Sequence, residues 1–194
     1  MTAITSLAQL DMSKTYSYAD YMLWQLNERV ELIKGKILAM SPAPTRFHQD
    51  VSGNLFLTFR TFLHNHPCKV YTAPFDVRLP IPTKGKADTV VQPDLCVICD
   101  KSKLDDAGCN GAPELVIEIL SKGNSKREMN IKFELYQEAG VLEYWIVDPA
   151  NFSVLVYTLQ DGKFITGRPF TEGDIVKSPL FPELRIAVDD IFAE

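Results

Sequence analysis

The stretches VVQPDLCVI (residues 90–98) and PELVIEILS (residues 113–121) decide the fold, because each is a short apolar run that carries one carboxylate. Both runs are rich in β-branched residues and predict short buried strands. Asp94 and Glu118 stand in apolar surroundings, where an ionised group is unfavourable unless it is paired or binds a metal. Neighbouring strands would bring the two side chains together, and a divalent cation is the usual way to offset their repulsion. The two runs therefore predict a metal-dependent hydrolase site.

Length and composition are those of one ordinary globular domain. The 194 residues, of which 46% are hydrophobic and 23% charged, predict a single domain over residues 1–194 with a substantial core. No stretch approaches the roughly 20 apolar residues that a membrane-spanning helix needs. The first residues, MTAITSLAQLDMSK, lack the basic start and apolar run of a secretory signal. We therefore expect a cytoplasmic protein without a membrane partner.

The formal net charge of −5 excludes one class of nucleic-acid-binding protein. A protein that coats DNA regardless of its sequence would usually be basic. A nuclease with only a local basic patch remains compatible with this charge.

The four cysteines give no sign of a metal or redox motif. Cys96 and Cys99 have C-x-x-C spacing, but residues three apart in a strand point to opposite faces, which is poor geometry for joint metal binding. We expect these two, together with Cys68 and Cys109, to be free thiols of a reducing cytoplasm.

The order of the elements predicts a mixed sheet with a helix on each face. A capping box at residues 17–20 starts a short helix, and Lys34-Gly35 forms the turn of a tight hairpin. Residues 100–112 read as a polar loop, and Ser125 as the N-cap of a helix that ends at Gly140. The remaining expected elements are a long helix over 46–64, strands near 69–71, 75–79 and 143–147, antiparallel strands over 153–159 and 163–166, and a last element over 186–192.

The chain resembles the PD-(D/E)XK nuclease superfamily. The residues that carry this resemblance are Pro93-Asp94 and Glu118-Ile119-Leu120, which are expected on consecutive strands between two helices. More narrowly, it is similar to the Uma-type restriction endonuclease family, long classified as a domain of unknown function. The residues that carry the narrower resemblance are 30–37, Ser41-Pro42 with His48, 75–79, 93–95, 118–121 with Lys132, Glu134, Leu135 and Tyr136, and 140–141 with 143–149.

The resemblance implies a fold and a site. The fold would be a restriction-endonuclease-like three-layer α/β/α core with a mixed central sheet, an N-terminal helix-hairpin and a C-terminal β extension. Asp94, Glu118 and the main-chain carbonyl of Ile119 would hold Mg²⁺ or Mn²⁺ through oxygen ligands. The substrate would be DNA, and a homodimer would allow both strands to be cut.

One position departs from the superfamily pattern. A lysine normally stands two residues after the glutamate and orients the attacking water, but Leu120 occupies that place here. Lys132, on the following helix, is the best replacement, because its flexible stem could carry an ammonium towards Glu118. The alternative is a solvated lysine paired with Glu128 one turn earlier.

Other candidates also have two interpretations. Glu31 is either an additional metal or water ligand or a hairpin carboxylate exposed to water. Asp76 either lines the same cleft or caps a strand. His48 is either a base or phosphate contact or a structural residue at a helix start. Tyr136 is expected to be half-buried, with its hydroxyl towards the cleft.

A basic cluster follows the Glu118 strand. Lys122, Lys126 and Arg127 lie at a predicted helix N-terminus, which suits phosphate binding. The alternative is an ordinary solvated loop.

Three functions remain open at this point. The first is a Mg²⁺-dependent DNA endonuclease. The second is an inactive nuclease fold kept for nucleic-acid binding or interaction, which Leu120 and the acidic charge favour. The third is a hydrolase of a small phosphoester. An approach of the Lys132 ammonium to within roughly 4–6 Å of Glu118 would favour the first over the second.

Overall fold

The computed structural model of the chain describes residues 3–40, 43–82, 88–121 and 126–194, without the side chains of Lys126 and Arg127. The predicted motif residues Ser41 and Pro42 and the predicted N-cap Ser125 lie outside these ranges. The helices are α1 (Tyr18–Tyr21), α2 (Arg46–Phe62), α3 (Lys126–Ala139) and α4 (Val188–Ile191). The strands are β1 (Val30–Ile33), β2 (Lys36–Ala39), β3 (Lys69–Thr72), β4 (Val77–Arg78), β5 (Val90–Val91), β6 (Leu95–Ile98), β7 (Leu104–Asp105), β8 (Gly108–Asn110), β9 (Leu115–Ile119), β10 (Glu143–Asp148), β11 (Ser153–Gln160), β12 (Lys163–Thr166), β13 (Ile175–Lys177) and β14 (Arg185–Ala187).

A mixed six-stranded sheet forms the centre of the molecule, in the order β12-β11-β10-β9-β6-β3. Strands β9 and β10 run parallel and are joined through α3, whereas the other neighbours are antiparallel. The inner strands are buried along their length, as expected of strands covered on both faces.

The helices α2 and α3 cover opposite faces of this sheet. On one face, Val51, Leu55 and Phe59 of α2 pack against alternate strand residues such as Ile117. On the other face, Leu135 of α3 packs with the intervening strand residues. This arrangement confirms the predicted three-layer α/β/α core, because the period of two along each strand sends its side chains to both layers.

A second sheet, in the order β2-β1-β5-β4-β8-β7, lies beside the central one and begins with the predicted hairpin. Lys34 and Gly35 have φ of 51° and 76°, which fits the hairpin turns that need two left-handed residues. The prediction of a polar loop over 100–112 was wrong, because β7 and β8 occur there; the two pair with each other, and β8 also pairs with β4.

The apolar run 90–98 is not one strand. Strand β5 belongs to the second sheet and β6 to the central sheet, so the chain crosses between sheets over Gln92, Pro93 and Asp94. Proline has no N–H to donate to a ladder, which suits a break at this position. Asp94 therefore lies at the junction of the two sheets rather than inside a strand.

The C-terminal segment covers the α2 side of the central sheet, with the small antiparallel sheet β13-β14 and helix α4. The Glu143 carboxylate of β10 anchors the loop between β13 and β14 by accepting a hydrogen bond from the Leu180 amide (2.8 Å), and it also accepts one from the Trp145 indole of its own strand (2.6 Å). This is the expected C-terminal β extension. None of the helices in the described ranges is long and apolar enough to cross a membrane.

The prediction of four free thiols was wrong for two of them. Cys68 and Cys99 form a disulfide, because the register of β3 against β6 pairs Lys69 with Ile98 and so sets the two cysteines opposite each other. Cys96 and Cys109 are free and buried. Cys96 and Cys99 pack towards different faces of the sheet, as their spacing predicted.

Candidate active site at the edge of the central sheet

Glu118 lies near the end of β9 and faces the α3 side of the sheet. Its neighbours Ile117 and Ile119 pack towards α2, so strand alternation turns the carboxylate the other way. Only 9% of Glu118 is exposed. An acid in such a position needs partners of opposite charge or strong hydrogen-bond donors.

Two side chains from successive turns of α3 meet one oxygen of Glu118. The Lys132 ammonium donates to Oε1 at 2.8 Å, and the Tyr136 hydroxyl donates to the same oxygen at 2.6 Å. The Lys132 side chain is only 14% exposed, so the interpretation as a solvated lysine was wrong. Tyr136 is fully buried rather than half-buried. The expected approach of Lys132 to Glu118 is present.

Glu31 joins the same cluster from β1. Its Oε1 lies 3.1 Å from the Lys132 ammonium and accepts a hydrogen bond from the Gln92 amide at 2.8 Å. Only 2% of Glu31 is exposed, so the interpretation as a water-exposed hairpin residue was wrong. One ammonium thus stands between two buried carboxylates that come from different sheets.

Gln92 links this cluster to its surroundings, and the sequence analysis did not identify it. Its side-chain oxygen accepts from the Arg29 guanidinium at 2.9 Å, and its side-chain nitrogen donates to Asp76 at 2.8 Å. Asp76 also accepts from the Tyr21 hydroxyl at 3.3 Å, and it lines a separate shallow pocket. Asp76 is therefore outside the cleft that contains Glu118.

Asp94 lies on the other side of Glu118, next to the end of β9. Its Oδ2 accepts a hydrogen bond from the Ile119 amide at 2.8 Å. His48, in the first turn of α2, places its Nε2 3.2 Å from the Ile119 carbonyl oxygen and 3.4 Å from Asp94 Oδ2. The imidazole is buried, and in the described part of the chain its Nδ1 has no hydrogen-bond partner.

The environment changes the proton affinity of these groups. Burial raises the pKa of the Glu118 carboxyl to about 7; the Lys132 ammonium opposes this rise, while the charges of Asp94 and Glu31 add to it. Burial lowers the pKa of Lys132, but the two glutamates outweigh burial and hold that pKa above its ordinary value. Burial raises the pKa of the Tyr136 hydroxyl, so this group keeps its proton and acts as a donor.

The same balance applies to His48. Burial lowers the pKa of its imidazole, but the hydrogen bond and charge of Asp94 outweigh burial, so the pKa ends above the ordinary value. His48 is thus an integral part of the acidic cluster.

These residues line a cleft of about 350 Å³ between α2, the N-terminal half of α3 and strand β2. Among the described residues, the cleft contains the carboxylates of Glu31, Asp94 and Glu118 and one buried cation, Lys132. With His48 neutral and the other described groups of the cleft ionised, two negative charges are in excess, since the charges of Arg29 and Glu128 at the cleft wall cancel. A divalent cation would neutralise this excess.

The donor atoms fit a hard divalent cation. Across residues 3–40, 43–82, 88–121 and 126–194, no three histidine, cysteine, aspartate or glutamate side chains converge on a site for an ion. A set made of Asp94, Glu118 and the Ile119 carbonyl is not of that type, because one ligand is a main-chain atom. Carboxylate and carbonyl oxygens are the ligands that Mg²⁺ and Mn²⁺ prefer.

The predicted basic cluster falls largely outside the described residues. Lys122 is outside them, and of Lys126 and Arg127 only the backbone at the start of α3 is described. Besides Lys132, Arg29 is a basic residue that the structure places at the cleft. Sequence alone gave no signal for it, because its position depends on the pairing of β1 with β5.

A mixed sheet between two helices, with two carboxylates converging at one edge, defines the class of restriction-endonuclease-like α/β proteins. Residues 18–189 match the Uma2 family, which is described as "Putative restriction endonuclease". Because this match covers most of the chain, the protein belongs to that family.

A solved structure agrees with this assignment. A crystal structure from Anabaena variabilis, described as that of a putative nuclease belonging to DUF820, is similar with a TM-score of 0.70 and 22% identity, over 92% of this chain and 98% of that one. At this identity the similarity shows the fold alone. No protein with curated annotation matches the chain.

Proposed function

We propose that the protein is a divalent-metal-dependent endonuclease that hydrolyses phosphodiester bonds in DNA. The observation that carries the proposal is the 2.8 Å contact between the Lys132 ammonium and Glu118. This contact supplies, from α3, the cation that Leu120, directly after β9, cannot supply. Family membership supports a nuclease, and the acidic excess of the cleft supports Mg²⁺ or Mn²⁺ as cofactor.

Each residue has a role in this proposal. Asp94, Glu118 and the Ile119 carbonyl would hold the cation, which would supply stabilisation of the charge at phosphorus and a more acidic water. Lys132 would orient the attacking water, and its charge limits the rise that burial causes in the pKa of Glu118, while Glu31 holds the ammonium in place. Tyr136 fixes the orientation of Glu118.

Phosphate contacts belong to the rim of the cleft. Arg29 can donate to a phosphate oxygen, since its present partner is the neutral side chain of Gln92. Lys122, Lys126 and Arg127 are proposed as further contacts, because the backbone start of α3 lies beside the cleft.

The second candidate function is an inactive nuclease fold that binds nucleic acid. Leu120 and the net charge of −5 favour it. The position of Lys132 favours the active enzyme instead. Its ammonium lies 2.8 Å from Glu118 Oε1, well below the roughly 4–6 Å over which opposite charges couple strongly.

The test combines metal titration with plasmid nicking. Mg²⁺ and Mn²⁺ are titrated calorimetrically into the wild type, Asp94→Asn and Glu118→Gln, which lose one charge each but keep their shape. Nicking is measured for the same proteins and for Lys132→Met, with Lys34→Met as the matched control, since Lys34 forms an exposed pair with Glu138. Each variant is first checked for a cooperative thermal transition.

We expect metal binding and nicking to be lost in the two carboxylate variants. Lys132→Met should bind metal but nick slowly, and Lys34→Met should behave like the wild type. Metal binding without nicking by the wild type would favour the inactive fold. Wild-type affinity in Glu118→Gln would show that the metal site is assigned wrongly.

A further inference from the structure

We propose that the cleft takes an unpaired nucleotide of a DNA strand, so that single-stranded or locally opened DNA is preferred over intact duplex. This inference rests on the proposed function and names the class of DNA that the same site takes. It is carried by the part of the cleft beyond the candidate metal ligands, between one face of α2 and the end of β2.

This face of α2 is a wall with polar side chains. Gln49, Ser52, Gly53 and Phe56 line the cleft, and their spacing of three and four residues puts them on the same side of the helix. The side chains of Gln49 and Ser52 hydrogen-bond to no other described residue. Both are therefore available to the polar edge of a ligand.

Gly53 leaves room for a ligand to approach the backbone of α2. Glycine inside a helix is less favourable than alanine, and the backbone does not require it here, since Gly53 lies within the regular part of α2. A Cβ at this position would meet no described atom within 4 Å, so packing within the described chain does not require glycine either. Because Gly53 lines the cleft, the open space above it suits a DNA strand that lies against the helix.

The other wall of the cleft is apolar. Leu38 of β2, Met40 directly after β2 and Met129 of α3 line it, and each is partly buried. An unpaired base can pack its faces on apolar side chains while glutamine and serine bond to its edge. In a duplex, the complementary base occupies the pairing edge and the neighbouring base pairs cover the faces. The two walls thus suit a base that has left the stack.

The size and depth of the cleft support the same substrate. Its volume of about 350 Å³ is at the low end of the roughly 300–1,000 Å³ of small-ligand pockets, which suits one nucleotide. The carboxylates that would hold the metal are recessed, since only 9% of Glu118 and 24% of the Asp94 side chain are exposed. A paired strand must unstack and unpair to bring its base into the cleft, whereas an unpaired strand avoids this free-energy cost.

The test separates DNA binding from metal binding. A short fluorescent DNA single strand of mixed sequence, and the duplex that it forms with its complement, are titrated at one ionic strength with Ca²⁺ present, and fluorescence anisotropy gives the affinities. Mg²⁺ binding is measured by calorimetry, and cleavage of both DNAs is measured with Mg²⁺. The proteins are the wild type, Gly53→Leu and the matched control Gly167→Leu. Gly167 is also exposed with no described atom within 4 Å of a Cβ, but it does not line the cleft.

We expect the wild type and Gly167→Leu to bind the single strand at least about tenfold more tightly than the duplex. Gly53→Leu should bind the single strand about tenfold more weakly than the wild type but keep its Mg²⁺ affinity. It should also melt at a higher temperature, because leucine favours a helix over glycine, so the weaker binding would not come from a damaged fold. Negative supercoiling favours strand opening, so a supercoiled plasmid should be nicked faster than a relaxed one.

Equal affinity of the wild type for the two DNAs, or wild-type affinity for the single strand in Gly53→Leu, would overturn this inference alone. Absence of both Mg²⁺ binding and cleavage of either DNA by the wild type would overturn the proposed function, and this inference with it.

Discussion

Replacing Lys132 by methionine removes the buried cation that lies between Glu31 and Glu118 and keeps most of the side chain's packing. The Glu118 and Glu31 side chains are 12% and 2% exposed, so both carboxylates would remain buried without their partner. Breaking a buried pair by removing one partner costs about 3–5 kcal/mol. We expect Lys132→Met to lose an amount of this order from the free energy of unfolding above neutral pH, in the absence of metal.

The loss of unfolding free energy in Lys132→Met should be larger at high pH than at low pH. In the folded protein the pKa of Glu118 is about 7, above its ordinary 4.5, so the folded state binds more protons than the unfolded state between these values. The free energy of unfolding therefore falls as the pH rises through this window. Without the ammonium the pKa of Glu118 rises further, and the decline extends to higher pH. The difference between variant and wild type should be smaller at about pH 5, where Glu118 is protonated in both folded proteins.

Urea unfolding at about pH 5 and about pH 8 measures this difference. The matched control is Lys34→Met, whose pair with Glu138 is exposed and should contribute at most about 1 kcal/mol, equally at both pH values. A loss below about 1 kcal/mol for Lys132→Met at the higher pH would refute the reasoning, as would equal losses at both pH values.

Three further outcomes are expected. Tyr136→Phe removes the 2.6 Å hydrogen bond to Glu118 and should destabilise the fold by about 1.5–3 kcal/mol in thermal unfolding, with weaker Mg²⁺ binding in calorimetry. Mg²⁺ at about 100 times its dissociation constant should raise the free energy of unfolding by about 2.7 kcal/mol, and Asp94→Asn should abolish this gain; a gain retained by the variant would place the metal elsewhere. Glu143→Ala leaves the buried Trp145 indole without its acceptor and should cost about 3 kcal/mol in urea unfolding, whereas a loss below about 1 kcal/mol would show that this anchor is dispensable.

The elements that depend on local chemistry were predicted from the sequence and are confirmed. Lys34-Gly35 forms the predicted hairpin turn, and α3 ends before Gly140, whose φ is +83°. Both signals come from residues that accept left-handed backbone, so no distant contact is needed to establish them.

The elements that depend on distant partners were not predicted. The run 90–98 was interpreted as one strand, since apolar residues stand on both sides of Gln92, Pro93 and Asp94. Only the pairing of β5 with β1 and of β6 with β9 divides it. Strands β7 and β8 have two and three residues, too few for any periodicity. The disulfide between Cys68 and Cys99 likewise follows from the register of β3 against β6.

The carboxylates of the candidate site could be predicted from the sequence, but most of the residues that hydrogen-bond to them could not. Asp94 and Glu118 could be singled out because a charge in an apolar run needs an explanation, and Lys132 because its helix follows the Glu118 strand. Gln92 carried a weak signal, a polar residue within the same apolar run. Its hydrogen bonds with Arg29, Glu31, Tyr21 and Asp76 could be known only from the structure.

The two carboxylates bound to Lys132 belong to different sheets, Glu31 to the sheet of β1 and Glu118 to the sheet of β9. The Lys132 ammonium therefore links the two sheets through its ion pairs. The sheets cannot slide or part without opening a buried ion pair, so a distortion of the hairpin would be transmitted to the carboxylate beside the metal site. The contact between the two sheets and the geometry of the candidate site thus share one ion pair.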